Sequence, residues 1–370
     1  MTPPAEGSVL DRRTLNRALL ARQCLLERVA MPAAEMIEHL VGMQAQVPTD
    51  PYLALWSRLR DFDPGELSTL MLERRAVRMT LMRTTLHLVT ARDALALRPV
   101  LQETVARGLR GSPFWKHLEG IDLEALLAAA ADLVEERPRT TSELRRLLAE
   151  RAPSTDPTSL AYAARYLLPL VQVTPRGVWG RSAAPRVTTL SSWLGVAVDG
   201  DPAPDATVLR YLRAFGPASS SDIRTWSWLT GLREVIERLR PRLRTYRDER
   251  GRELLDVADG VFVDPATPAP VRFLPEYDNL VLSHDDRSRI TGDGAWGAAY
   301  SHKGTFFVDG FLAGAWRLGR TRDATTLSVE PLAELRPADR EAVTAEGQAL
   351  LAFLAPDAAR REVLLLAPAA

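Results

Sequence analysis

Between Ala206 and Gly260 the sequence spells out three helices and a hairpin in close succession, and this stretch narrows the possible folds more than any other. A helix over Val208–Phe215 stops at Gly216-Pro217. Ser219–Ser221 cap a second helix running through Trp226, and Thr230 caps a third over 232–243. Leu232, Val235, Ile236, Leu239 and Leu243 give that third helix an apolar stripe. Two β-type runs, Leu243–Tyr246 and Leu254–Val257, then flank the turn formers Asp248-Glu249-Arg250-Gly251. A helix-turn-helix followed by a hairpin is the sequence form of a winged helix.

The plan recurs. Leu123–Glu136 reads as a helix ended by Pro138; Thr140-Thr141-Ser142 opens another through Arg151, with Glu143 placed for its first turn. Leu160–Val171 is a third helix, and Gln172–Thr174 with Val178–Gly180 form a hairpin about Pro175-Arg176-Gly177. The N-terminal third follows more loosely, with helices over Arg13–Arg28, Pro32–Val41, Tyr52–Leu59 and Pro64–Arg74, then a strand pair within Met79–Val89. Beyond residue 262 short β-type runs take over: Val271–Leu274, Leu280–Leu282, Thr305–Val308, Phe311–Trp316 and Thr326–Pro331. An amphipathic helix over Pro337–Leu354 and a strand-like tail at Val363–Leu366 close the chain. The expected class is α+β and mainly helical, with units at 8–120, 121–200 and 201–262 and a β-rich module at 263–370.

Charge and composition bound the function. No uncharged stretch is long enough to span a bilayer, and Met1–Gly7 lacks the charged-then-apolar pattern of a secretion signal, so a cytoplasmic, nucleoid-associated protein is expected. The single cysteine, Cys24, excludes an internal disulfide and sits in a helical run as a small core residue. Net charge is zero, yet the 210–252 stretch holds eleven arginines against five acidic residues, which suits one face that touches phosphates.

Three clusters carry candidate chemistry. Gln44-Ala45-Gln46 lies between a helix and Pro48. Because Pro48 forces the helix to stop, the two glutamines fall on one side of an extended segment, either aimed at a common point or bonded to nearby backbone. Arg83-Thr84-Thr85-Leu86-His87 reads as a strand with Arg83, Thr85 and His87 on one face, either a phosphate-binding or a solvated surface. Leu274-Pro275-Glu276-Tyr277-Asp278-Asn279 is a turn followed by Asp285, Asp286, Arg287 and Arg289, suited either to phosphate binding or to a buried polar brace, with Asp278 in a structural role; Phe311 and Trp316 of Gly310–Arg317 read as core. The histidines have no ligand-type spacing, no phosphate loop or hydrolase elbow occurs, and neither metal nor cofactor is expected.

Taken in order, the Gln44-Ala45-Gln46 element, the Arg83–His87 segment, the Leu274–Asn279 turn and Gly314-Ala315-Trp316-Arg317 resemble the AlkZ-like winged-helix DNA glycosylases, a family typified by an azinomycin-resistance enzyme. The resemblance spans about Leu15 to Leu318. A second, YcaQ-type branch has an aspartate where this chain has Gln46. The resemblance implies three tandem winged helices in a C-shape around duplex DNA and a monofunctional, monomeric enzyme that releases N7- or N3-alkylated purines, including crosslinked ones. It implies Gln44 and Gln46 as the catalytic pair, and Arg83, Thr85, His87, Arg287, Arg289 and Arg317 as DNA contacts. An alkylated purine is a cationic leaving group that needs no general acid, so two neutral amides suffice to place a water and face an oxocarbenium-like sugar. Small Ala45 would permit close approach, and no base-stacking aromatic lies near Gln44, since Tyr52 and Trp56 read as core. The rival readings are a non-catalytic winged-helix regulator and a protein that merely sequesters a genotoxin.

Overall fold

A short strand, β1 (Val9–Leu10), leads into α1 (Arg12–Arg22), whose first turn is capped by the Asp11 carboxylate accepting from the Thr14 N–H at 2.7 Å. The computed structural model describes residues 3–294 and 302–368. Arg17 and Arg22 of α1 are buried, and Arg22 makes two hydrogen bonds of 2.7 and 2.8 Å to the buried Asp256 carboxylate. A buried bidentate pair of this kind fixes geometry strictly. It ties the chain's first helix to residues more than two hundred positions away.

The next elements are α2 (Ala33–His39), β2 (Met43–Gln44), α3 (Asp50–Trp56), α4 (Pro64–Leu72), β3 (Ala76–Thr80), β4 (Leu86–Thr90) and α5 (Ala91–Arg110). They are followed by α6 (Leu123–Glu136), β5 (Arg139–Thr140), α7 (Thr141–Arg151), α8 (Pro157–Leu167), β6 (Leu170–Gln172), β7 (Arg186–Thr189) and α9 (Leu190–Leu194). At the start of α7, Thr140 and Glu143 form the reciprocal capping box that their spacing predicts. The strands of both stretches join one six-stranded sheet in the order β2-β4-β3-β6-β7-β5. Pairing of β3 with β6 carries the sheet across the boundary drawn at residue 120. The second hairpin differs from expectation. Its return strand is β7, not Val178–Gly180, which lies in the connection. Gly177 at φ +92 and Gly180 at φ +69 bend that segment out of the extended conformation, and the β-branched run Val187-Thr188-Thr189 does the pairing instead.

From 205 the order is α10 (Asp205–Phe215), α11 (Ser220–Ser227), α12 (Leu232–Leu239), β8 (Leu243–Asp248) and β9 (Glu253–Val257), with β1 adding to β8 in parallel. The last part holds β10 (Arg272–Leu274), α13 (Asn279–Leu282), α14 (Ser288–Thr291), β11 (Gly304–Val308), β12 (Phe311–Arg320), β13 (Thr325–Pro331), α15 (Pro337–Leu354) and β14 (Arg361–Leu365). These strands form an open five-stranded sheet ordered β10-β11-β12-β13-β14, covered by α15. Leu280–Leu282, read as a strand, is a helical turn because Asp278 caps it, accepting from the Leu280 N–H at 2.8 Å. Phe273, Phe306 and Trp316 pack with Val343, Leu350 and Leu351 of α15, so Trp316 is core as expected. Cys24 packs beside the Met36–Leu55 core, and burial pushes its thiol above the ordinary range, away from nucleophilic use.

Candidate active site

The loop from α2 to β2 is built to present Gln44. The helix stops at His39, Val41 takes φ 55, and Gly42 takes φ +90. A Cβ on Gly42 would lie 2.6 Å from Val89 Cγ1, so only glycine fits this close approach. Met43 and Gln44 then pair antiparallel with Leu88 and His87, and the Ala45 N–H donates to Leu86 O at 2.8 Å. Two anchors hold the segment from behind. Asn279 Nδ2 donates to Gly42 O at 2.7 Å, and Arg78 Nη2 donates to Ala45 O at 2.5 Å. The Leu274–Asn279 turn is thus a brace for the glutamine segment, and its Asp278 receives two hydrogen bonds, of 2.7 and 2.8 Å, from the buried Arg58.

Gln44 is buried, and its Oε1 accepts from Arg83 Nη2 at 2.8 Å. Because guanidinium only donates, this bond also settles which way the amide faces. Gln46 is exposed, and its Oε1 lies 3.4 Å from the Leu86 N–H, a long bond that leaves the side chain open to solvent. Both glutamines therefore engage the Arg83–His87 segment. Ala45 between them is fully buried and faces the core, so its small size serves packing and not the approach of a ligand.

The Arg83–His87 segment is a tight turn between β3 and β4, not a strand over its whole length. Arg83 and Thr84 sit at φ 54 and φ 56, and Thr85 Oγ1 donates back to Met82 O at 3.1 Å. Alternation consequently does not place Arg83, Thr85 and His87 on one strand face; Thr85 is spent on closing the turn, while Arg83 and His87 do meet. His87 is buried and pointed at the site. Its Nδ1 lies 3.0 Å from Thr85 O, which can only accept, so Nδ1 carries the proton and Nε2 faces Arg83 Nη2 at 3.4 Å as an acceptor. Burial, reinforced by the Arg83 charge, pushes the imidazole down to about 3, and it is neutral throughout the physiological range. Arg83 itself bonds only neutral groups: Trp226 O at 2.5 Å, Gln44 Oε1 and His87. Burial and then Arg287 push it down to about 10, and no carboxylate pairs with it among the described residues.

The other expected contacts scatter. Arg287 caps α14 and donates through Nε to Val281 O at 2.7 Å, while its charge is felt at Arg83. Arg289 is committed to the interior at 4 % exposure. It donates to Pro217 O at 2.9 Å and lies 3.9 Å from the buried Asp222 carboxylate, so it cannot meet an external phosphate. Arg317 is exposed on β12, opposite Ser328, in the C-terminal sheet. Nor is the arginine-rich 210–252 stretch uniformly available: Arg210, Arg213, Arg238 and Arg252 pair with Asp93, Asp259, Asp205 and Asp286, all supplied by other segments. Sequence reasoning counted charge along the chain, and the fold brings the neutralising acids from elsewhere.

It also missed two things beside Gln44. Asp50, at the start of α3, is buried with Oδ2 unpartnered. Burial, then Glu276 and Asp278, push its carboxyl up to about 8. The second is the end of α11, reached through the Arg83 bond to Trp226 O. Neither has a local sequence signal, since both depend on chain segments that meet only in three dimensions. Among the described residues no group of histidine, cysteine and acidic side chains could hold a metal ion.

A turn pinned on a neutral amide pair, with cationic side chains around it, is the arrangement that a DNA-processing site with no metal would need. The family comparison agrees: the model of the AlkZ-like DNA glycosylases matches residues 37–353, and the chain belongs to that family. DNA is accordingly its substrate. Among solved structures it is similar to the Streptomyces sahachiroi DNA glycosylase AlkZ, at 20 % identity and a TM-score of 0.72, over 97 % of this chain and 100 % of that one. This likeness establishes the fold. No curated protein matches the chain. No helix among the described residues is long and apolar enough to cross a membrane.

Proposed function

We propose that this glycosylase acts as a monomer on double-stranded DNA to excise purines alkylated at N7 or N3, bulky and crosslinked adducts included, with Gln44 and Gln46 placing the water. The carrying observation is the Arg83-oriented Gln44 beside solvent-facing Gln46, two neutral amides on one anchored extended segment. In the step, the bond between sugar C1′ and the base nitrogen breaks with both electrons going to the cationic base, which leaves neutral. Water adds to C1′ and gives its proton to solvent. Gln44 Oε1 keeps a lone pair beyond the one that Arg83 uses, and Gln46 keeps its Nε2 hydrogens and the Oε1 lone pair that the long Leu86 bond does not take. Water rather than an amine is the nucleophile, because Lys303 is paired with Glu330 and the other lysine, Lys116, lies on the distant turn after α5. We further read 8–120, 121–200 and 201–262 as three winged-helix units in a C-shape around the duplex, with 263–370 as the module that braces the first; the helices and hairpins at 123–189 and 205–257 support this reading.

Release of free base from duplex carrying N7-methylguanine, and from one carrying a bulky N7 adduct, tests the proposal under single-turnover conditions. Gln44→Ala and Gln46→Ala should each lower the rate by about 10²–10³-fold, as loss of one preorganised polar group does elsewhere. Wild-type rates in the double variant would remove the glutamines from the mechanism. Release of the methylated base alone would restrict the enzyme to small lesions, and binding without release of either would favour a sequestering or regulatory protein.

A further inference from the structure

Trp228 caps the C-terminus of α11 at φ 60, and the residue is 44 % exposed. A bulky residue in the left-handed region costs conformational energy that its surroundings must supply. Here they do so through the backbone. The Trp228 carbonyl accepts from Arg107 Nη2 and, at 3.4 Å, from Thr104 Oγ1, while Arg107 Nη1 reaches Thr230 Oγ1 at 3.1 Å. Ser227 Oγ accepts from the Leu229 N–H at 3.1 Å. The peptides on both sides of the indole are locked, and the ring is left facing solvent.

This presented ring is wired to the candidate site. Trp226 O, two residues away, accepts from Arg83, which orients Gln44. Arg224, one turn earlier in α11, and Arg233 are exposed and line an adjoining groove with Ser220, Ser221 and Thr230; of that groove's carboxylates, Glu237 and Glu253 are paired with Arg240 and Glu234 is the third. A flat apolar ring flanked by guanidinium groups has the chemistry of nucleic-acid contact, in which the cations meet phosphates and the ring stacks on a base. Proteins that open a base step often do so with such an apolar wedge.

We propose that Trp228 stacks on a base beside the lesion and holds the opened step against the Gln44–Gln46 segment. The location rests on the glutamine reading above; the stacking does not. Trp228→Asn removes the ring while keeping a residue that tolerates the left-handed conformation, and Trp228→Phe keeps a ring. Both are made in a Gln44→Ala, Gln46→Ala background, so that binding is read without turnover, on a duplex with 2-aminopurine next to N7-methylguanine. The parent should change 2-aminopurine fluorescence on binding. Trp228→Asn should abolish that change and weaken affinity by about 5- to 150-fold, the range for one lost base stack, with an unaltered melting temperature. Trp228→Phe should retain most of both. Equal affinity and signal in parent and Trp228→Asn would overturn the proposal. So would an equal loss in both variants accompanied by lower melting temperatures, which would make the indole a structural cap. If the signal depends on Trp228 but the wild-type enzyme releases no base, stacking stands and the catalytic assignment fails.

Discussion

Arg58 and Arg83 flank the same glutamine segment and are treated in opposite ways. Arg58, behind it, is buried and meets Asp278 through two hydrogen bonds, with Gln23 Oε1 at 3.3 Å as a further acceptor. Arg83, in front, is held only by carbonyl and amide oxygens and a neutral imidazole. A guanidinium that gives its charge to a carboxylate is a structural fastener. One that keeps its charge while its orientation is fixed remains able to attract an anion. The brace and the working face of this site are thus distinguished by whether the fold supplies a counter-charge; under the function proposed above, the anion that Arg83 would meet is a DNA phosphate.

The largest effect should come from breaking the brace. Asp278→Ala leaves Arg58 buried without its partner, and such a loss costs about 3–5 kcal/mol. It also removes the cap of α13, from which Asn279 reaches Gly42. Denaturant unfolding checks this; a loss below 1 kcal/mol would mean that Arg58 finds another acceptor and the contrast with Arg83 is empty.

Arg83→Met tests the other side. Removing hydrogen bonds to a charged group costs about 1.5–3 kcal/mol, so excision should fall by about 10- to 100-fold. Folding stability should fall by much less than in Asp278→Ala, because losing a charge with no carboxylate partner offsets the acceptors left at Trp226 and Gln44. Binding measured over a salt series should also show a shallower slope. A stability loss as large as that of Asp278→Ala would make Arg83 a fastener too.

A smaller effect follows pH. His87 and His284 are both buried and pushed down to about 3 from an ordinary value of 6.5. Between those values the unfolded chain takes up protons that the folded chain refuses. Their contribution is complete above pH 6.5 and is lost as pH falls toward 3, by up to about 1.4 kcal/mol per pH unit for each histidine. His87→Gln should lessen the slope of stability against pH between 6.5 and 5, above the range where carboxylates titrate. An unchanged slope would mean that His87 is accessible to protons in the folded state.

How much of this was legible beforehand depends on range. Thr140 with Glu143, the helix over Leu123–Glu136 and the helix over Pro337–Leu354 follow from caps and apolar spacing within a few residues, and each appears with the expected bounds. The glutamine segment is extended as expected at Gln44, but the helix stops at His39 through the left-handed Val41 and Gly42, ahead of the stop read from Pro48. Residues that act through distant partners were not legible. Arg289 looked like a surface arginine because Asp222 lies sixty-seven positions earlier, and Trp226 and Trp228 carried no sign of Arg83. The second hairpin lies elsewhere because the turn signal of Pro175-Arg176-Gly177 is local, whereas the strand that pairs with β6 is the β-branched run at 187–189, beyond a longer connection.

Asp50 gives the subtlest test, since it is the reverse of Arg83: a buried acid where the fold withholds a cation. Arg78 is its nearest compensating charge, but Arg78 commits Nη2 to Ala45 O and is itself pushed down to about 10 by burial and Arg176. With Glu276 and Asp278 opposing ionisation as well, the carboxyl stays protonated up to about 8, against an ordinary value of 3.8. A folded pKa above the unfolded one means that Asp50's favourable contribution is complete below pH 3.8 and is lost as pH rises to 8. Asp50→Asn keeps the shape and removes the titration. It should therefore stabilise the protein relative to wild type by an amount that grows from pH 4 to pH 8 and is level above that. Melting temperatures of the two proteins across this range provide the measurement. A constant difference would show that Asp50 ionises normally, through a cation or a water path that reaches Oδ2, and the pairing of a charge-bearing front with a charge-silent rear would have to be redrawn.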